Sequence, residues 1–505
     1  MTKKILTGIW MMVLSLMILL INSANYLLYS WGELDFSTVL YQLNSNLSGT
    51  NIQTMMDYMV ESLVPTIFEI FLLVFFCFYW KKFTDKIRMT IKVRVGTKHL
   101  THEIGKRYRR NCLLLFVTVC VSFLTVLKAY QVGIPKYIED ITNVSTIFED
   151  KYVDPNSIDI VFHGDKKNLI YIFLESMETT FASEDVGGGK KENYIPNLTR
   201  LAEENVYFSA TDKMGGLFQT SGAGWTMAAL LTSTSGVPYL MPIEENSAGD
   251  YDTILPGLTT MGEVLEDAGY KNYFMCGSNA EFSGRAKYFE QHGNYEIIDY
   301  YTAIADGAIA EDYSVFWGME DQKLYDYAKD KLVQAAADGQ PFNFTMLTVD
   351  THYPNGYMCT VCDTEYEEQY ENVITCADHQ IMEFLNWIQE QAWYKDTVVV
   401  LVGDHLSMNE DFWRDLPEGY ERGIYNCFIN SGLDVVDKKR IASNLDLMPT
   451  ILTAIGADIE GNRLGLGTNL FSEEPTLAEV MGKELFMSET SRYSEMYNEQ
   501  FVKGK

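Results

Sequence analysis

Three apolar runs open the chain: Ile5 to Ile21, Leu63 to Trp80 with Glu69 as its one charged residue, and Cys112 to Leu127. Each is about 16–18 residues long, near the lower limit for a helix that crosses a bilayer, and flanking residues lengthen it. Lys3 and Lys4 ahead of the first run also fit a signal peptide, but no small-x-small cleavage site is clear and two more runs follow. The expectation is therefore a three-helix membrane anchor over residues 1–127 and a polar connector over 128–165. From 166 to 505 the pattern changes. Short β-rich runs, Leu169–Leu174, Phe342–Val349 and Thr397–Val402, are apolar without alternation, as in strands buried on both faces. Between them Leu258–Ala268, Lys323–Ala337 and Ala377–Glu390 read as helices, so an α/β fold with a mostly parallel central sheet is predicted.

Charge divides at the same place. The 505 residues carry 39 Lys+Arg and 69 Asp+Glu, a net −30. Residues 1–111 hold 13 of the basic and 7 of the acidic residues, a balance of +6 that leaves −36 on the rest. Eleven Lys/Arg between residues 81 and 111, in a short loop between two spans, predict that this loop and the amino terminus stay in the cytoplasm. Three crossings then place the larger domain outside the cell membrane, extracellular or periplasmic. So acidic a domain argues against a nucleic-acid partner. An apolar fraction of 47% argues against disorder.

Five cysteines, Cys276, Cys359, Cys362, Cys376 and Cys427, fall in the outer part, so at most two intrachain disulfides form there. Cys359-x-x-Cys362 fits a zinc or redox pair, but an oxidising location favours a local disulfide among Cys359, Cys362 and Cys376. Histidine is scarce: His163, His292, His352, His379 and His405 are the outer candidates for metal binding.

Polar residues follow the predicted strands where open α/β sheets place their sites. Leu174-Glu175-Ser176 ends one and Gly403-Asp404-His405 another. A lone carboxylate there is usually a cap or surface charge, whereas adjacent carboxylate and imidazole groups suit a divalent ion such as Zn²⁺ or Mn²⁺. Gly222-Ala-Gly224-Trp225-Thr226 precedes an apolar helix-like stretch. Thr226 there reads first as an N-cap, and also as a hydroxyl nucleophile where backbone N–H groups favour a phosphate.

These segments, with Asp350-Thr-His352-Tyr-Pro354 between them, occur in an order that resembles the sulfatase-like branch of the alkaline phosphatase superfamily. Within it the chain is similar to lipoteichoic acid synthases and phosphoglycerol transferases. Gly224-Trp-Thr-Met-Ala, Ser235-Gly-Val-Pro238 and Asp404-His405-Leu-Ser-Met-Asn409 look closest to the periplasmic-glucan type. The resemblance implies a metal site of Glu175, Thr226, Asp404 and His405, with Thr226 also the nucleophile. It implies His352 as a catalytic residue beside the reacting phosphate, assisting the leaving group or the bound intermediate, and Arg285 and Trp225 as further substrate contacts. A surface ion pair is the plain alternative for Arg285. The synthases carry His and an acid where this chain has Cys276 and Ser278, and they use five spans rather than three, which favours single-group transfer over polymerisation. No Cys/Ser-x-Pro-x-Arg signature surrounds Thr226, so sulfate-ester hydrolysis is not expected.

The expected activity is transfer of glycerol phosphate from phosphatidylglycerol in the membrane to a cell-surface glycan, through a phosphothreonine intermediate and with one divalent ion, Mn²⁺ ahead of Zn²⁺ or Mg²⁺. The alternatives are a phosphoethanolamine transferase, a lipoteichoic acid synthase-type polymerase, and a non-catalytic membrane-anchored glycan-binding protein.

Overall fold

The structure is a computed structural model, and it describes residues 2–31, 36, 39–40, 52–84, 90–95, 98–103, 106–164, 166–240 and 253–505. It divides into two compact units, residues 1–34 with 51–135, and residues 35–50 with 136–505.

The first unit holds the three apolar helices, and each exceeds its sequence estimate. They are α1 (Thr2–Trp31), α2 (Val64–Thr84, entered through Ile52–Tyr58 and a π turn, Met59–Leu63) and α3 (Lys106–Gln131). Stretches of 26, 21 and 18 residues within them are long and apolar enough to cross a membrane. Between α2 and α3 the basic loop forms a hairpin, β1 (Thr90–Val95) against β2 (Lys98–Glu103), while its residues 85–89, 96–97 and 104–105 lie outside the described set. Glu69 is not exposed to an apolar medium alone: Asn22 of α1 donates to its carboxylate (2.9 Å) and to Thr66 (3.0 Å). Trp10 likewise donates to Thr118 (2.9 Å). Such interhelical hydrogen bonds join apolar helices where the hydrophobic effect cannot.

The second unit is built on a six-stranded sheet in the order β6-β5-β7-β4-β8-β9. Its strands are β4 (Asn168–Leu174), β5 (Lys271–Cys276), β6 (Glu296–Ile298), β7 (Phe342–Leu347), β8 (Thr397–Gly403) and β9 (Asn426–Ile429). All pairings are parallel except β8 with β9. The uninterrupted apolar runs follow from burial on both faces. Leu169, Tyr171, Phe173, Val398, Val400 and Val402 enter one core, and Ile170, Ile172, Leu174, Val399 and Leu401 the other. Each fully buried aliphatic side chain contributes about 1.5–3 kcal/mol.

The segment expected as a connector is more than that. Phe148 is fully buried against Tyr497 and Phe501, and β3 (Ile160–Phe162) pairs antiparallel with β10 (Ala457–Ile459). It reads as polar because only a few of its residues face the core. The three predicted helices are Met261–Asp267, Asp321–Ala337 and Gln369–Gln389, the last starting eight residues before its estimate because buried Tyr370, Val373 and Ile374 already follow helical spacing.

Candidate functional site

Strand register brings the first two acids together. Leu174 of β4 pairs with Gly403 of β8, so Glu175 and Asp404 leave adjacent strand ends side by side. Gly403 is required there: a Cβ would come within 1.8 Å of the Met177 carbonyl oxygen. Ser176 turns the chain away with φ +52°, a strained conformation for a non-glycine residue. That turn aims its N–H at Asp404 Oδ1 (2.7 Å) and its hydroxyl at Glu175 Oε1 (2.8 Å). Behind them, the Glu175 N–H donates to Thr348 Oγ1 (2.9 Å).

His405 completes the group. Its Nε2 lies 3.5 Å from both Glu175 Oε1 and Asp404 Oδ2, and its Nδ1–H faces the Leu406 carbonyl (2.9 Å). The carbonyl selects the tautomer whose Nε2 lone pair points at the carboxylates, the arrangement that metal-binding histidines use. All three residues are buried. Burial pushes the Asp404 carboxyl up to about 7, and the nearby Glu175 charge adds to this. For His405 burial acts to lower the pKa, but Asp404 and Glu175 outweigh it and the net shift is upward. Asp404 Oδ2 is buried and has no hydrogen-bond partner among the described residues. Two crowded carboxylates, an orphaned oxygen and an imidazole lone pair converging on one point fit a divalent cation.

Thr226 reaches the same place from another element. It is the first residue of the helix α4 (Thr226–Ser235), and its hydroxyl donates to Glu175 Oε2 at 3.4 Å. The reading of Thr226 as an N-cap is corrected: Trp225 occupies that position in extended conformation and supplies no capping side-chain bond. The Thr226 side chain is thereby left to the site. Gly222, with φ +71°, packs so closely on Tyr239 that a Cβ would meet its carbonyl at 2.8 Å, whereas Gly224 faces only the Gln219 side chain. Gln219 in turn accepts from the Leu406 N–H (2.8 Å) and ties this loop to that of His405.

The five outer histidines separate by environment. His292 is buried and bonded to the Ile254 carbonyl (2.7 Å), and His163 and His379 are at the surface. His352 stays near the site, where it feels the charges of His405, Asp404 and Arg285. Burial lowers its pKa to about 4, so it is neutral at pH 7, and its Nδ1 faces the Tyr353 carbonyl (2.9 Å). Arg285 is not a surface residue: it is 5% exposed and donates to Phe282 and Asn279 carbonyls and to Ser278 Oγ (3.1, 2.8 and 3.0 Å). Those bonds use Nε and Nη2, and Nη1 has no partner among the described residues.

Two supports have no signature in the pattern of strand ends. Arg422 makes a two-pronged bond to the buried Glu178 carboxylate and also donates to the Ser407 carbonyl (2.7 Å), clamping the loop after His405. Trp317 lies against His352, with ring centroids 5.0 Å apart. Of the three clustered cysteines, Cys362 and Cys376 are disulfide-bonded and Cys359 is a buried thiol beside them, 3.4 Å from the Cys362 sulfur. Among the described residues, this trio and Glu175–Asp404–His405 are the groups of potential ligands close enough to share an ion.

Comparison with known proteins places the chain in a family. A curated relative, phosphoglycerol transferase I of Salmonella choleraesuis, is 32% identical over 62% of this chain and 40% of its own length. The chain thus spans about two fifths of the curated relatives it matches. Among solved structures, lipoteichoic acid synthase LtaP from Listeria monocytogenes aligns with TM-score 0.49 at 19% identity, over 62% of this chain and 79% of that one. Lipooligosaccharide phosphoethanolamine transferase A from Neisseria meningitidis aligns with TM-score 0.48 at 12% identity, over 89% and 84%. The model of the sulfatase family matches residues 167–457, from the first central strand through the site to β10, and the chain belongs to that family.

Proposed function

We propose that the chain is a membrane-anchored phosphoglycerol transferase, moving glycerol phosphate from phosphatidylglycerol to a glycan outside the cell through a covalent Thr226 intermediate. The observation that carries this reading is the Thr226 hydroxyl at the head of α4, bonded to Glu175 of the three-residue ligand group. The 32% identity to phosphoglycerol transferase I supports the choice of group transferred. Glu175, Asp404, His405 and Thr226 would hold one divalent ion, Mn²⁺ in the first instance, which supplies Lewis-acid polarisation of phosphoryl oxygens and a lowered hydroxyl pKa.

The residues divide the rest of the chemistry. Thr226 Oγ gives up its proton and bonds to the donor phosphorus, the bond from phosphorus to the diacylglycerol oxygen breaks, and that oxygen takes up one proton as it leaves, so that the hydroxyl proton of Thr226 is balanced by that of the diacylglycerol. In the second half an acceptor hydroxyl bonds to the same phosphorus and Thr226 Oγ is released. A neutral His352 whose Nδ1–H is committed to Tyr353 has an Nε2 lone pair, which suits accepting the acceptor's proton better than protonating a leaving group. The Arg285 guanidinium, whose Nη1 has no partner among the described residues, suits the donor's phosphate oxygens, whereas Trp225 at the head of α4 is buried against Tyr239 and could contact substrate only at its edge. Three helices long enough to span would anchor the chain in a bilayer that contains the donor, and the basic loop would lie on its cytoplasmic side.

The test is incubation of the purified full chain with Mn²⁺ and vesicles of labelled phosphatidylglycerol, followed by diacylglycerol assay and mass spectrometry. Diacylglycerol release with a glycerol-phosphate adduct on Thr226 is expected, and both disappear in Thr226→Ala. Release from phosphatidylethanolamine alone would make the chain a phosphoethanolamine transferase, and no release from either donor would leave a binding protein.

A further inference from the structure

Phe316 has φ +51° in a two-residue turn closed by paired hydrogen bonds between Val315 and Gly318 (2.9 and 2.8 Å). Glycine or asparagine ordinarily fills such a position, and an aromatic residue there is strained. The turn is held rigidly: Met319 N–H donates to the Gly277 carbonyl (2.9 Å), and Gly318 lies so close to that carbonyl that a Cβ would sit 2.4 Å from it. What the strain presents is a row of rings. Trp317 packs on His352 (5.0 Å) and on Phe282 (5.2 Å), the Arg285 guanidinium lies 5.6 Å from the Phe282 ring, and Phe316 stacks on Tyr357 at 5.8 Å. None of the four aromatic residues belongs to either hydrophobic core, and each is partly open to solvent.

Large rings outside the core, strained into place beside a reacting histidine, point to a ligand. An acyl chain would call for a wholly apolar groove, whereas these rings are bordered by Arg285, His352 and the Tyr357 hydroxyl. Flat apolar faces with polar groups at their edge match a pyranose, which has one C–H face and a rim of hydroxyls. We infer that Phe316, Trp317, Phe282 and Tyr357 form the acceptor subsite, stacking a sugar ring of the glycan so that one of its hydroxyls faces His352. The inference rests on the phosphoglycerol-transfer reading. In that step the sugar oxygen bonds to phosphorus, the Thr226 Oγ–phosphorus bond breaks, and the sugar proton passes to His352 Nε2. Water follows the same course when no sugar is bound.

The readout is how the Thr226 intermediate partitions between sugar and water. Full-length chain with Mn²⁺ and phosphatidylglycerol vesicles is given a mixture of gluco-, galacto- and manno-oligosaccharides, and phosphoglycerol on sugar is compared with free glycerol phosphate. Trp317→Ala and Phe316→Gly are expected to lower the sugar-to-water ratio at least tenfold and to raise the acceptor KM, with Trp317→Phe recovering most of it. General damage to the site slows both products and leaves the ratio alone. An unchanged ratio in both variants would overturn the subsite, as would wild-type release of diacylglycerol with none of the sugars accepted. Wild-type chain that releases no diacylglycerol would instead fail the functional reading itself.

Discussion

The Ser176 N–H donates to Asp404 Oδ1 over 2.7 Å, and the same oxygen accepts the His405 N–H at 2.7 Å. One carboxylate oxygen therefore serves the fold and the other, Oδ2, is left for a ligand. Asp404→Asn keeps an oxygen for the two N–H donors but replaces the ligand with an amide. It is expected to fold with a melting temperature in chelator no lower than that of wild type, and to lose bound Mn²⁺ and at least a hundredfold in diacylglycerol release. Metal analysis after gel filtration checks it. Stoichiometric metal in the variant would remove Asp404 from the ligand set.

Thr226 separates into two roles by substitution. Thr226→Ala removes the proposed nucleophile, whereas Thr226→Ser keeps a hydroxyl at the head of α4 without the methyl group that restricts its rotamers. The serine variant is expected to form the covalent adduct at a reduced rate, roughly ten- to a hundredfold down, and the alanine variant to form none. An adduct elsewhere in the alanine variant, located by peptide mass spectrometry, would assign the nucleophile to another residue.

Arg422 tests how the loop after His405 is held. Its partner Glu178 is fully buried, so Arg422→Ala leaves a carboxylate with Thr180 and Ser407 as its donors among the described residues. Breaking a buried pair in this way costs about 3–5 kcal/mol, with the two remaining donors placing this one at the lower end. Thermal melting in chelator should fall by several degrees, roughly 2–4 °C per kcal/mol in a domain of this order of size. A melting temperature within a degree of wild type would mean that Glu178 is solvated or protonated without its partner.

Glu175 and Asp404 were legible because each directly follows an apolar strand, and parallel register puts such strand ends side by side. Thr226 was legible as a helix start between glycines, though not as the residue after the cap, since Trp225 is an uncommon capping residue. The segment 128–165 reads as a connector because its strand, Ile160–Phe162, is three residues long and pairs with Ala457–Ile459 far along the chain. Trp317 and Phe316 are not legible in the sequence for a related reason. A turn with a positive φ at an aromatic residue contradicts the Gly/Asn signal by which turns are recognised. Local rules therefore reach the acids and the hydroxyl that the fold brings together, and do not reach the rings, whose placement depends on strain and tertiary packing.

The disulfide should matter mainly for stability. Cys362 and Cys376 close a loop of 14 residues in sequence separation, and cross-linking a loop of that size stabilises by about 3 kcal/mol in the chain-entropy model. Cys362→Ser is expected to lower the melting temperature by roughly 6–12 °C at the 2–4 °C per kcal/mol of a large domain. Wild-type protein treated with reductant should match it. If the variant melted like the untreated wild type, the disulfide would be absent from the folded chain in solution.

Proton release links the ligand group to pH, and its sign differs with and without metal. In the metal-free state burial and the Glu175 charge raise the Asp404 pKa from 3.8 to about 7, and Asp404 and Glu175 raise that of His405 from 6.5. Native protein without metal thus keeps the Asp404 proton between about pH 4 and 7, where the unfolded chain has given it up. The raised pKa contributes stability that is fully present below about pH 4 and is lost as pH rises through 7. Metal ligands must be deprotonated, so binding displaces the same protons, and apparent affinity should fall about tenfold per displaced proton for each pH unit below 7. In chelator the melting temperature should therefore drop from pH 6 to pH 8, with the remaining carboxylates of the domain as background. In excess Mn²⁺ the stabilisation relative to chelator should grow over the same interval. Melting curves of wild type and Asp404→Asn at both pH values isolate the contribution. An identical pH slope for the two proteins in chelator would show that Asp404 is ionised in the metal-free fold, and that its unpaired oxygen is stabilised by something other than a proton.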